Sequence, residues 1–238
     1  MLVRVPLPPT LGARAFAELS GALARAADDP EARVVALVGT PGEFCRGMDL
    51  GELAYGGAAR EGLRAFAALV AGLRQLGRPT LAIVDGDAVG GGVGLAAACD
   101  VVVASTRATF ALPEALLGLL PGVVLPALLE RLTRQSARAL ALTGASRDAG
   151  WALARGLVDE VVEPADLERA TRRRARELAR VPTRGVRAVR GWLTELEPLG
   201  TAAGLAAGAE RTASLLDEPE TRAAVRAFLI EGAAPWQA

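Results

Sequence analysis

The sequence predicts an α/β fold with mainly parallel strand pairing, and three observations predict it. Apolar, strand-like runs alternate with helical runs from Leu2 to Ala104. After Thr109 the pattern is almost wholly helical, so helices gather towards the C-terminus. Hydrophobic residues make up 51% of the 238, enough to bury one large core or a core with a small appendage.

The elements follow in order. Leu2 to Leu7 alternates weakly and ends in Pro8-Pro9, which makes it a short edge strand. Arg14 to Ala27 is a helix stopped by Asp28-Asp29-Pro30, and Arg33 to Val38 is a buried strand closed by the turn Gly39 to Gly42. Residues 60–76 place Leu63, Phe66, Leu69, Val70 and Leu73 at helical spacing. Gly77-Arg78-Pro79 ends that helix and opens the strand Thr80 to Val84. A glycine-rich turn, a helix over 92–99 and the strand Val101 to Ala104 come next. Helices are then expected at 113–119, 122–132, 135–142, 148–155, 166–180, 185–197 and within 201–231, with Val158 to Val162 the one late strand. A boundary near Pro182 to Gly185 divides a core, residues 1–183, from a C-terminal helical subdomain, 184–238.

Composition narrows the chemistry. The chain holds no His, no Lys and no Asn, and its 27 Arg balance its 27 Asp and Glu. Serine–histidine and cysteine–histidine catalysis, a Schiff-base lysine, a phosphate-loop lysine and histidine-ligated metals are therefore excluded. Proton transfer falls to Asp, Glu, Tyr55, Cys or water. The balanced charge supplies no field for nucleic acid or anionic lipid. Two cysteines, Cys45 and Cys99, form neither a disulfide framework nor a zinc pattern, so no metal is expected. Pro6, Pro8 and Pro9 interrupt the apolar run after Met1-Leu2-Val3-Arg4, and no stretch reaches the ~20 apolar residues of a membrane span. A soluble, cytoplasmic chain is the expectation.

Three segments could carry chemistry. The turn Gly90-Gly91-Gly92-Val93-Gly94 joins a strand to a helix, leaving bare N–H groups at a helix N-terminus. Gly92-x-Gly94-x-x-Ala97 fits a loose dinucleotide fingerprint, but the next strand ends in Ser105-Thr106 and not in an acidic residue. Glycines that merely permit tight helix–strand packing are the other reading. The second segment is the loop Glu43 to Leu50, in which Gly47 suits a left-handed turn and Asp49 suits a cap. Two such loops, each after a strand, can give one N–H apiece to a single carbonyl oxygen, an oxyanion hole. In the third, Thr109 to Gly118, Pro113 suits the first helical position and Glu114 the second. The apolar neighbours of Glu114 would raise its pKa into a range useful for acid–base work, whereas a solvent-facing helix-end glutamate is the plainer alternative.

In this order and spacing the three segments resemble the crotonase (enoyl-CoA hydratase/isomerase) superfamily. Phe44-Cys45-Arg46-Gly47-Met48-Asp49 is similar to its first oxyanion loop and Gly86 to Gly92 to its second; Ala96 to Asp100 and Gly156 to Asp159 also match. The resemblance implies a ββα spiral core and C-terminal helices that serve in oligomerisation and in covering the active site, with assembly as a homotrimer or hexamer. It implies Met48 and Gly91 as backbone donors to a thioester carbonyl and Glu114 as the catalytic acid/base. Gly90, Gly92, Phe110, Leu112, Asp49 and Tyr55 would line the substrate. Arg46, with Arg107 behind it, would be the partner of a distal substrate carboxylate. No cofactor is implied, since the substrate arrives as a phosphopantetheine or CoA thioester.

Hydratases of the superfamily carry a second glutamate where this chain has Gly94. That departure resembles the polyketide β-branching dehydratases, which act on 3-hydroxy-3-methylglutaryl groups held by an acyl carrier protein. Leu112 to Leu128 and Phe228 to Trp236 are similar to the same branch. The loop that normally holds the nucleotide of CoA is reduced here to Leu2 to Thr10, which suits a carrier-bound pantetheine. Arg169, Arg172, Arg173, Arg174 and Arg176 could meet an acidic carrier or form a solvated, ion-paired face. An enoyl-thioester isomerase and a non-catalytic subunit of the same fold are the competing functions.

Overall fold

A computed structural model describes residues 1–55 and 59–231, with the side chains of 53–55 left out. In chain order the elements are β1 (Leu2–Pro6), α1 (Ala13–Asp28), β2 (Val34–Val38), β3 (Gly42–Cys45), α2 (Leu50–Tyr55), α3 (Ala59–Gln75), β4 (Thr80–Val84), β5 (Gly86–Val89), α4 (Gly91–Ala98), β6 (Val101–Ser105) and β7 (Thr109–Ala111). A 3-10 turn, Glu114–Leu117, leads to α5 (Val124–Leu129), α6 (Arg134–Thr143), β8 (Arg147–Asp148), α7 (Ala149–Ala154), β9 (Glu160–Val162) and α8 (Leu167–Ala179). The chain ends in α9 (Thr183–Leu196), α10 (Thr201–Asp217) and α11 (Pro219–Glu231). It divides into two compact units, Met1–Leu178 and Ala179–Ala238.

The first unit is a spiral in which the successive pairs β2/β3, β4/β5 and β6/β7 give one strand to each of two sheets. One sheet runs β1-β2-β4-β6-β9, all parallel; the other runs β3-β5-β7-β8, parallel except for β8. The α/β class and the ββα repeat are as expected. The expected β2, β4 and β6 are found as continuous apolar strands buried on both faces. The individual strands of the second sheet were not located from the residues, because they are only two to four residues long and contain turn-forming residues. Gly86 is needed there for proximity: a β-carbon on it would stand 2.0 Å from the carbonyl carbon of Gly42 on the neighbouring strand.

The core gathers Phe16, Phe44, Phe66 and Phe110 with Val5, Val35, Leu37, Val84 and Val102 of the first sheet and leucines of the helices. Helix α4, Gly-Gly-Val-Gly-Leu-Ala-Ala-Ala, is buried along its whole length and carries no polar side chain. Helix α8 presents its arginines to carboxylates. Arg169 pairs with Asp166, Arg172 with Glu168, Arg173 with Glu160, and Arg174 with both Glu160 and Glu177. This is the ion-paired face, with most of its charge locally neutralised. In the second unit Val186 and Ala224 are buried, and Arg184 pairs with Glu220. No helix among the described residues is long and apolar enough to cross a membrane.

Candidate active site

Three strands of the second sheet end at one place. After β3 the chain turns through Gly47, which holds φ +81°, a conformation that a residue with a β-carbon rarely adopts. Its α-carbon rests on the start of α4: an added β-carbon would lie 2.6 Å from Gly91 N and 2.8 Å from Val89 O. Leu11 N–H donates to Gly47 O at 2.7 Å, and Asp49 N–H donates to Leu11 O at 3.1 Å. Those two bonds form a parallel bridge between Leu11 and Met48, in which the central residue turns its own N–H away from the Leu11 segment.

Gly91 opens α4, so its N–H is one of the first-turn donors with no acceptor inside the helix. Among the described residues neither Met48 N–H nor Gly91 N–H donates a hydrogen bond. Two bare amides thus belong to the contact of Gly47 with Gly91, and the positive end of α4 adds to the field at Gly91.

The carboxyl group comes from the next strand. Gly90 N–H donates to Ala111 O at 2.9 Å, tying the end of β5 to the end of β7. Gly90 holds φ +53° and ψ −116°, and a β-carbon there would meet Glu114 Oε1 at 2.8 Å. Glu114 therefore lies over Gly90, one residue from the Gly91 donor. Its Oε2 is enclosed and has no hydrogen-bond partner among the described residues. Burial pushes the Glu114 carboxyl above its ordinary pKa, against the opposing pull of its own backbone N–H. The local helix differs from expectation: Pro113 is the cap and not the first helical residue, and Glu114 starts a 3-10 turn ended by Gly118 at φ +73°.

The raised pKa has a consequence for stability. A carboxyl group that binds its proton more tightly when folded favours the folded state while protonated. That contribution is fully present below the unfolded value of 4.5 and is lost as pH rises through the raised value. Glu114→Gln should therefore unfold at a higher urea midpoint than the wild type near neutrality, with the difference vanishing below pH 4.5. Midpoints measured across that range check the sign.

Other expected residues fall elsewhere. Arg46 is exposed and committed to Glu43, three residues back, at 2.6 Å, so the carboxylate partner expected there is already engaged. Arg107 is likewise held by Asp85. Asp49 Oδ1 accepts from Glu52 N–H at 3.0 Å and so caps α2; it fixes the loop instead of facing substrate. Phe110 and Leu112, expected to line the substrate, are both 0% exposed and pack in the core, where they anchor β7 and the approach to Glu114. Gly92 permits close approach, since a β-carbon would stand 2.0 Å from Cys45 O. Tyr55 ends α2, and its side chain lies outside the described residues. The Cys45 thiol is buried and pushed up to about 11, which leaves no thiolate for nucleophilic work. No cluster of metal-ligating side chains stands among the described residues. Leu11, which pairs with Met48, is not legible in the residues, since a single leucine after Pro8-Pro9-Thr10 has no periodic signal.

Comparison with known proteins shows the family. The enoyl-CoA hydratase/isomerase family model matches residues 6–238. The chain is 33% identical over 216 residues to the 2,3-dehydroadipyl-CoA hydratase of Escherichia coli K12, covering 89% of this chain and 84% of that protein. It is 39% identical over 158 residues to the carnitinyl-CoA dehydratase of Proteus mirabilis, covering 64% of this chain and 59% of that one. The match thus spans about three fifths of the length of the first curated relatives. Among solved structures, Pseudomonas aeruginosa AtuE superposes with a TM-score of 0.88 at 30% identity, covering 100% of this chain and 96% of that one.

Proposed function

The chain belongs to the enoyl-CoA hydratase/isomerase family, and from that premise we propose that it is a hydro-lyase that removes water from 3-hydroxyacyl thioesters. What supports this reading is the packing of Gly47 on Gly91, with the unbonded amides of Met48 and Gly91 at that contact, and the half-buried carboxyl of Glu114 lying over Gly90. The thioester oxygen accepts from both amides. Negative charge developing on that oxygen is then paired as it forms, and the α-carbon proton becomes acidic. Glu114 takes that proton, the α-carbon electrons form the double bond, and the bond from the β-carbon to its hydroxyl breaks. The same carboxyl group returns the proton to the departing hydroxyl, which leaves as water. An α,β-unsaturated thioester remains. Elevation of the Glu114 pKa suits a group that must both accept and give a proton.

One carboxyl group is enough for this sequence of steps. At Gly94, where the family resemblance places a second glutamate, an added β-carbon would meet Val124 Cγ2 at 3.2 Å and Phe66 Cζ at 3.4 Å. Apolar groups stand at that position. The relatives are named for CoA thioesters, which makes CoA the first carrier to test. The finer reading is 3-hydroxy-3-methylglutaryl on an acyl carrier protein, converted to the 3-methylglutaconyl group during polyketide β-branching. Its support is Gly94 and the segments Leu112 to Leu128 and Phe228 to Trp236, the last of which runs beyond the described residues after Glu231.

Incubation with 3-hydroxy-3-methylglutaryl thioesters of CoA and of a carrier protein should show loss of water by mass spectrometry. No water loss from either, together with double-bond migration in a 3-enoyl thioester, would establish the isomerase alternative. Self-association belongs to the same proposal. Leu116, Leu117 and Leu120 are exposed in the first unit, and Leu205, Leu229 and Ile230 in the second. Light scattering should report a trimer or hexamer; a monomer at micromolar concentration would reject that part.

A further inference from the structure

Helix α4 presents a problem of register. It delivers the Gly91 N–H at one end, yet it is wholly apolar and buried, so no side chain of its own anchors it by a hydrogen bond and packing alone acts from within the helix. Its C-terminal end is held from outside. Arg131, in the turn between α5 and α6, is nearly enclosed, its side chain 11% exposed. It donates from Nε to Ala97 O at 3.1 Å, and from Nη2 to Cys99 O at 2.6 Å and Asp100 O at 2.9 Å. Nη1 reaches Leu157 O at 3.4 Å and Asp159 Oδ2 at 3.1 Å.

The neighbouring strands have locks of their own. Asp100 Oδ2 accepts from Thr80 N–H and from Thr80 Oγ1, and Asp159 Oδ2 accepts from Val102 N–H. What Arg131 adds is a grip on the last carbonyls of α4 and the residues that follow. Its positive charge also faces the negative end of the helix dipole.

We propose that Arg131 is a positioning residue for the oxyanion hole. By clamping the C-terminal end of α4 it sets where the Gly91 N–H stands at the other end, about 11 Å away at 1.5 Å per residue. The inference rests on the acyl-thioester reading above. A shift of one ångström at a donor costs a reaction about a hundredfold, which is the scale a loosened helix would produce.

The test uses Arg131→Lys, which keeps the charge and loses the planar fork, and Arg131→Ala with added guanidinium ion. Three readouts are taken: kcat and KM on the turned-over thioester, the urea midpoint, and the amide resonances of Gly91 and, as remote controls on β2, Val35 and Leu37. The expected result for Lys is a kcat lowered about 10- to 100-fold with KM changed less than about threefold. The Gly91 amide resonance moves, those of Val35 and Leu37 stay, and millimolar guanidinium restores part of the kcat lost by the Ala variant. A folded Lys variant with wild-type kcat and an unmoved Gly91 resonance would overturn the proposal. So would a kcat loss in both variants that only tracks the unfolded fraction and resists guanidinium. If the wild type turns over no thioester, the acyl-thioester reading has failed; the Gly91 resonance in Arg131→Lys still decides whether the clamp exists.

Discussion

Replacing Glu114 by Gln is expected to lower kcat about a thousandfold while KM stays within a few-fold of its wild-type value. Gln preserves the shape of the side chain and its place over Gly90 but cannot accept the α-proton. Substrate binding depends on the Met48 and Gly91 amides and the surrounding walls, none of which the change touches, so the loss should fall on the chemical step. Steady-state kinetics with the thioester that the wild type turns over will measure it. A Gln variant with unaltered kcat would remove Glu114 from the mechanism. The same substitution is expected to stabilise the fold near neutrality, so loss of activity and gain of stability should appear together in one protein.

The second large effect is expected at Gly47. Alanine there must adopt φ +81° and place its β-carbon 2.6 Å from Gly91 N and 2.8 Å from Val89 O, both backbone atoms that cannot swing aside. One of two things must move, and either motion separates the paired amides. Removal of one oxyanion donor costs about 100- to 1000-fold in kcat, and Gly47→Ala should fall in that range. Conformational strain alone contributes about 1–2 kcal/mol to destabilisation. Gly42 provides the control, because it holds φ +85° and an added β-carbon meets nothing within 4 Å. Gly42→Ala should therefore show the strain in its urea midpoint and keep its kcat. If the two variants lose activity equally, left-handed strain and not the crowding of Gly91 is the cause.

The sequence made the first sheet plain and the second almost invisible, for a physical reason. Val34 to Val38, Thr80 to Val84 and Val101 to Ser105 are continuous apolar strands buried on both faces, which composition alone reveals. Gly42–Cys45, Gly86–Val89 and Thr109–Ala111 are too short to show a period, and their glycines signal turns as strongly as they signal close strand approach. The donors Met48 and Gly91 came from the family resemblance, and the structure packs Gly47 against Gly91 at that place. Side-chain partners were less legible. Arg46 reads as a free cation beside the site until folding sets Glu43 within 2.6 Å of it. Phe110 and Leu112 read as pocket walls, and the sheet turns both into the core. Arg131 left no trace, since its acceptors come from Ala97, Asp100 and Leu157, distant along the chain.

The central claim is that Met48 N–H and Gly91 N–H polarise a thioester carbonyl beside Glu114. The most direct measurement is the vibrational frequency of an isotope-labelled carbonyl in an unreactive acyl thioester bound to the protein. The account predicts a clear shift to lower frequency in the wild type and in Glu114→Gln, and a near-solution value in Gly47→Ala. A carbonyl that keeps its solution frequency when bound to the wild type would contradict it.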